Sequence, residues 1–231
     1  MKDLVEKLKI YGVGKSLLFL AIDIKRKLWN QLIRASYSQQ GEDLIIDKLL
    51  GYKKRGFYVD VGAYDPHRFS NTKRFYLKGW RGINVEPDAS NYKKFIRDRK
   101  RDINLNLGIG SDNTSFTFYR FFPDTLSTFS KKEADRYKKQ GYQFVNAAYI
   151  PVKKLSIILK TYRKNKPIDF ITIDAEGYDL EVIKSNDWNK YKPKIICVET
   201  NQKTQKINAF LKNQKYRLVH QNKVNSIYIL K

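Results

Sequence analysis

The chain has 231 residues, 42% hydrophobic and 14% aromatic, which is enough to build a core and excludes wholesale disorder. Its 46 lysines and arginines against 23 aspartates and glutamates give a formal charge of +23, which admits anionic membranes, phosphorylated acceptors and nucleic acid as partners, or else reflects a Lys-, Asn- and Ile-rich composition throughout. One cysteine and two histidines exclude an internal disulfide and a Cys/His zinc cluster, so Cys197, inside the apolar run KIICVE, reads as a core residue of a protein from a reducing cytosol.

No window reaches the roughly 18 apolar residues of a membrane-spanning helix. Residues 1–35 read as a basic amphipathic helix, with Leu4, Leu8, Tyr11, Leu17, Leu20, Ile24, Leu28 and Leu32 at three- and four-residue spacing and a break at Gly12 and Gly14. Such a segment lies on an anionic membrane surface, or packs on its own domain or on a partner subunit. Within it, GVGKS (12–16) mimics the end of a phosphate-binding loop. That motif needs glycine where Lys9 stands, and a strand before it, so the match is a decoy.

From residue 37 strands alternate with helices. GFYVDVG is a strand, SNTKRFYLKGW a helix, GINVEP a strand, ASNYKKFIRDRK a helix and DINLNLGIG a third strand. SFTFYRFF alternates like an antiparallel strand, and residues 124–147 read as an irregular polar loop or lid. YIPVKKLSIILKTYRK runs from a short strand into a helix. IDFITID and PKIICVET are buried strands flanking the helix GYDLEVIKS, and after the helix QKINAFLKN a closing hairpin, YRLVHQN and NSIYILK, ends the chain. The pattern predicts one α/β domain over 37–231, with a mainly parallel sheet covered on both faces, an antiparallel edge hairpin and an N-terminal helical extension over 1–36.

Ligands of an open α/β sheet bind beyond the carboxyl ends of the strands. The residues there are Asp60 and Gly62, Glu86, Gly108 to Asp112, Asp174 to Gly177, and Glu199, a set dominated by acids in a strongly basic chain. A dinucleotide would need further glycines for its pyrophosphate, and Tyr64, Asp65 and Pro66 would repel it. S-adenosylmethionine (SAM), with its sulfonium and amino acid tail, suits carboxylates. Gly62 lets the backbone approach, Asp60 orients the loop or meets the tail's ammonium, and Glu86 stands where an acid accepts both ribose hydroxyls.

The series SQQGEDLII, GFYVDVGAYDP, SNTKRFYLKGWRGINVEPD, GIGSD and IDFITIDAEGYDLEVIKS, over residues 37–200, resembles the FkbM-type SAM-dependent methyltransferases. The resemblance implies a seven-stranded, Rossmann-like class I methyltransferase sheet and O-methylation, commonly of sugars, glycolipids or related natural products, with S-adenosylhomocysteine (SAH) as product. It implies that Asp60, Gly62, Ala63 and Tyr64 form the SAM loop, that Glu86 with Pro87 meets the ribose, and that Gly108 and Asp112 lie on the adenine side. Gln39, Gly41, Glu42 and Asp43 match the entry motif and close over the methionine end. Asn71 and Thr72 support the loop or cap a helix. Tyr178 departs from the small residue many relatives carry there.

An aliphatic hydroxyl needs a base or a metal before it attacks the sulfonium methyl. Asp174 is the leading candidate for base or acceptor orienter, and Glu176 is the second acid, or favours the N-terminus of the helix it opens. His67 is the other candidate base, or a solvated loop histidine. A divalent cation such as Mg²⁺, if used, would take Asp174 and Glu199. Phe121, Phe122 and Tyr142 can stack on a sugar ring. The expected acceptor is a small molecule or a glycan, phosphate- or lipid-linked, for an enzyme that is cytoplasmic or peripheral to the inner face of the membrane through residues 1–35. The alternatives are an RNA methyltransferase, encouraged by the charge but lacking an Asn- or Asp-Pro-Pro-aromatic motif, and a non-catalytic binding protein on the same fold.

Overall fold

A computed structural model describes residues 36–200 and 203–231; the helix expected over 1–35 lies outside the described residues. The elements, in chain order, are α1 (Glu42–Leu49), β1 (Phe57–Val61), α2 (Lys73–Leu77), β2 (Arg81–Val85), α3 (Ala89–Asp98), β3 (Ile103–Leu105), β4 (Gly108–Ile109) and β5 (Thr114–Phe122). A 3₁₀ turn (Asp124–Leu126), α4 (Lys131–Lys139), β6 (Gln143–Lys153), α5 (Leu155–Tyr162), β7 (Phe170–Ile173) and α6 (Asp179–Lys184) follow. The chain closes with β8 (Ile195–Glu199), α7 (Thr204–Asn213), β9 (Tyr216–Gln221) and β10 (Asn225–Leu230).

Seven strands form the main sheet in the order β3-β2-β1-β7-β8-β10-β9. The first five are parallel, and β10 runs antiparallel to both neighbours, giving the expected edge hairpin. Strand period two splits β1 between layers. Phe57, Val59 and Val61 join Leu155, Ile158, Leu180 and Ile207 on one face. Tyr58 joins Ile46, Phe75, Trp80 and Phe170 on the other. Every residue of β1 is buried, as a strand covered on both faces demands. The chain runs outward from β1 to β3, then returns to lay β7 on the far side of β1, so the order reverses between β1 and β7.

Two expectations are corrected. The strand DINLNLGIG divides, because β3 stays in the main sheet while β4 pairs with β6 in a separate three-stranded sheet of order β4-β6-β5. The irregular loop over 124–147 holds the 3₁₀ turn, α4 and the first five residues of β6. The reason for α4 is local. Ser130 caps the helix by accepting from the Glu133 amide at 3.3 Å, and Ala134 and Tyr137 then face Phe121. β6 pairs with β5 along its whole length but meets β4 only at Val152 and Lys153, so among the described residues 143–151 form an open sheet edge.

Candidate active site

A cavity of about 470 Å³ opens beyond the carboxyl ends of β1, β2 and β7, beneath a roof made by β5 and the turn after it. Its position follows from the strand reversal, where the loops after β1 and β7 diverge and leave a crevice. Among the described residues six carboxylates line it, from Asp60, Glu86, Asp88, Asp124, Asp174 and Glu176, against the single cation Arg68.

The loop after β1 is held from below. Gly62 and Ala63 donate to the Val85 carbonyl at 3.0 and 3.1 Å. Gly62 has φ +74°, and a Cβ there would stand 1.8 Å from the Asp174 carbonyl oxygen, so glycine is required twice over. Gly62→Ala is expected to destabilise the fold by about 2–5 kcal/mol through left-handed strain and backbone overlap, read from urea unfolding. A wild-type midpoint would show that the loop relaxes freely.

Glu86 directly follows β2 and is only 5% exposed. Its carboxylate accepts from the Tyr64 amide at 2.7 Å and the Asp88 amide at 2.8 Å, one bond to each oxygen. Each oxygen keeps a lone pair directed elsewhere, which is what two vicinal hydroxyls need. Burial pushes the carboxyl up to about 8 despite those two amides. Tyr64, at φ 56°, also reaches up, its hydroxyl donating to Asp124 of the roof at 3.0 Å. Arg120 of β5 pairs with Asp88 at 2.9 Å and adds a second tie between roof and floor.

Asp60 accepts from Thr72 Oγ1 at 2.7 Å, and burial raises it to about 6. Asn71 donates to Thr172 Oγ1 at 2.9 Å. Behind this loop the buried Arg99 donates to the Pro66 carbonyl at 2.8 Å and to Ser70 Oγ at 3.1 Å, pinning the segment between the two motifs. Nothing in the local sequence distinguishes this arginine from its solvated neighbours.

At the end of β7 the chain turns sharply through two left-handed residues, Glu176 at φ 46° and Gly177 at φ 84°. The turn is fixed by Ala175 N–H to Asp179 Oδ1 at 2.8 Å and by Thr128 Oγ1 to the Glu176 carbonyl at 2.8 Å. It throws the Asp174 and Glu176 carboxylates together inside the cavity, with Tyr137 of α4 donating to Glu176 Oε2 at 3.1 Å. Burial pushes both well above the ordinary carboxylate range, reinforced at Asp174 by the charges of Asp179 and Asp60 and at Glu176 by those of Asp174 and Asp179. Carboxylate oxygens of Asp174, Glu176 and Glu199 lie within 4.8 Å of one another. Three hard oxygen donors fit a divalent cation, which these residues would hold and which would polarise a bound hydroxyl.

The expected site residues divide accordingly. Gln39, Asp60, Gly62, Ala63, Tyr64, Glu86, Pro87, Gly108, Asp174 and Glu176 line the cavity. Four others do not. Glu42 is fully buried and accepts from the Gln40 amide at 2.9 Å, Asn222 at 3.0 Å and Asn225 at 3.2 Å. Burial opposes its ionisation, yet these donors hold it below the ordinary range. Its neighbour Asp43 binds Ser36, Ser38 and the Tyr37 amide, so the entry motif shapes the wall through a buried scaffold. Asp112 is exposed beside Ser111, where β4 has left the main sheet. His67 projects outward to Asp98 at 2.7 Å, its side chain 51% exposed. Glu199 joins the acidic cluster from outside the lining. The sequence reading missed Arg68, Phe69 and the roof residues Phe118 and Leu126, which line the cavity from segments with no strand-end signature.

The sequence profile of the methyltransferase FkbM domain family matches residues 60–218. No curated protein matches the chain. Among solved structures, precorrin-6y C5,15-methyltransferase from Geobacter metallireducens superimposes over 82% of this chain and 87% of its own, at 15% identity and a TM-score of 0.41. The N-terminal domain of human METTL16 superimposes over 81% of this chain and 67% of its own, at 13% identity and a TM-score of 0.44.

Proposed function

Since the chain belongs to the methyltransferase FkbM domain family, and is thus a SAM-dependent methyltransferase, we propose that it methylates a hydroxyl of a sugar, glycan or glycolipid-type acceptor. The observation that carries this reading is the Asp174–Glu176 pair, two half-buried carboxylates that line the cavity, raised by their surroundings toward the range of a base working near neutral pH. The sulfonium activates its own methyl group, so the protein has to align an acceptor oxygen, exclude water and remove a proton.

In this reading SAM enters with its ribose on Glu86 and its sulfonium among the cavity's acids. Two strand spacings of about 4.8 Å separate the ends of β2 and β7, which places the acid pair about 10 Å from Glu86. The acceptor hydroxyl donates to Asp174 while Tyr137 steadies Glu176. The oxygen attacks the methyl carbon as the carbon–sulfur bond breaks, the hydroxyl proton passes to the carboxylate, and neutral SAH leaves. Phe118, Phe122 and Phe129 line the roof side and supply faces for a sugar ring. A predominantly acidic cavity disfavours drawing an RNA backbone inside, which supports a sugar, glycan or glycolipid hydroxyl over one of RNA.

Transfer of a labelled methyl group from SAM to a panel of nucleotide-linked and lipid-linked glycans, with the product read by mass spectrometry for an alkali-stable methyl ether, tests the reading. Label appearing only on nitrogen or carbon, or only on RNA, would overturn it.

A further inference from the structure

We propose that the outer face of α4 and the adjoining edge of β6 form a docking surface for an anionic lipid bilayer. Half of the large hydrophobic side chains exposed among the described residues fall within 142–149, namely Tyr142, Phe144, Val145 and Tyr149. They stand in a run without charge from residue 140 to 152, in a chain that is 30% charged. α4, which meets this run where Tyr137 packs edge-on against Tyr142, exposes Lys131, Lys132, Lys138 and Lys139, and the Lys138 ammonium lies 4.1 Å from the centre of the Phe144 ring. Of the helix's two acids, Glu133 is buried and paired with Arg136, which leaves only Asp135 as an exposed counter-charge.

Basic groups ringing exposed aromatic and aliphatic side chains are what a headgroup layer recognises. The lysines meet lipid phosphates and the apolar tips enter the acyl boundary. Val145 is 49% exposed and bears no polar atom, so water gives it nothing that lipid does not improve. A nucleic acid would want aromatic faces set in a basic groove, whereas this is an open strand edge that also exposes the aliphatic Val145. The placement has a consequence for the site, because the inner face of α4 carries Tyr137 to Glu176. One helix, about 10 Å thick, then separates the bilayer from the acid pair. The inference does not depend on which acceptor is methylated.

The test uses the full chain with Val145→Cys bearing an environment-sensitive fluorophore; the native Cys197 is fully buried and remains unlabelled. Blue-shifted emission is expected with vesicles of phosphatidylcholine plus phosphatidylglycerol, and none with phosphatidylcholine alone. Adding Lys131→Gln, Lys132→Gln, Lys138→Gln and Lys139→Gln together is expected to raise the half-saturating lipid concentration at least about tenfold, with SAM binding unchanged as the check on folding. An unshifted emission while the chain co-sediments with the vesicles would overturn the proposal and place the contact elsewhere. So would a shift with polyuridylate but not with lipid, or an unchanged lipid affinity in the fourfold variant.

Discussion

Glu86→Ala is expected to weaken SAM binding by about 100-fold or more in calorimetric titration, with the circular dichroism spectrum unchanged. The size follows from losing two charge-assisted hydrogen bonds to the ribose, each worth about 1.5–3 kcal/mol. The pH behaviour separates this role from a merely structural one. With its carboxyl raised to about 8 by burial, Glu86 is largely protonated at neutral pH in the free enzyme. The folded group holds its proton above the ordinary carboxylate value. Its contribution to stability is therefore present below that value and is lost as pH rises through about 8. SAM needs the anion, so binding near pH 7 should release protons, visible as a dependence of the binding enthalpy on the buffer's ionisation heat. Glu86→Gln should abolish that dependence. An alanine variant binding like wild type would remove Glu86 from the cofactor site.

Asp174→Asn and Glu176→Gln are expected to lower kcat by about 10²- to 10⁴-fold while leaving SAM affinity within a few-fold, because the pair acts on the acceptor's proton and not on the ribose. The same substitutions should stabilise the apo fold. Two half-buried acids crowded by neighbouring carboxylates keep a proton they would lose in the unfolded chain, so their cost grows as pH rises above the ordinary carboxylate range. Replacing one with an amide should raise stability at pH 8 by on the order of 1 kcal/mol, read from urea unfolding. Lost activity with gained stability would mark strain retained for function. Unchanged turnover in both variants would place the proton elsewhere. His67 is poorly situated for the task, since it lies outside the cavity against Asp98.

The main sheet was legible because buried parallel strands read as short apolar runs closed by an acid or a glycine. FYVDV, FITI and IICVE each show this, and each begins or ends where the pattern puts it within about two residues. Glu86 was legible for the same reason, being the first acid after such a run. The roof was not. β5 and β6 pair residues as far apart as Thr114 and Val152, and no local spacing reports a partner at that distance. Ser130, as the helix N-cap, was a readable signal overlooked within a polar stretch. Glu42 and Asp112 mark the opposite limit. Each occupies a motif position, yet whether its carboxylate faces the cavity depends on Asn222 and Asn225 for the first and on β4 leaving the sheet for the second.

The open edge of β6 has a consequence for handling the protein as a colloid. With +23 charges per chain, like copies repel in dilute buffer, where the Debye length is about 30 Å at 0.01 M. Raising the salt to about 1 M shrinks that length to about 3 Å and removes the repulsion while leaving the uncharged strand edge as sticky as before. Concentrated salt, the usual remedy for a basic protein, would therefore bring these molecules into register with one another, and low ionic strength is the condition that keeps them apart.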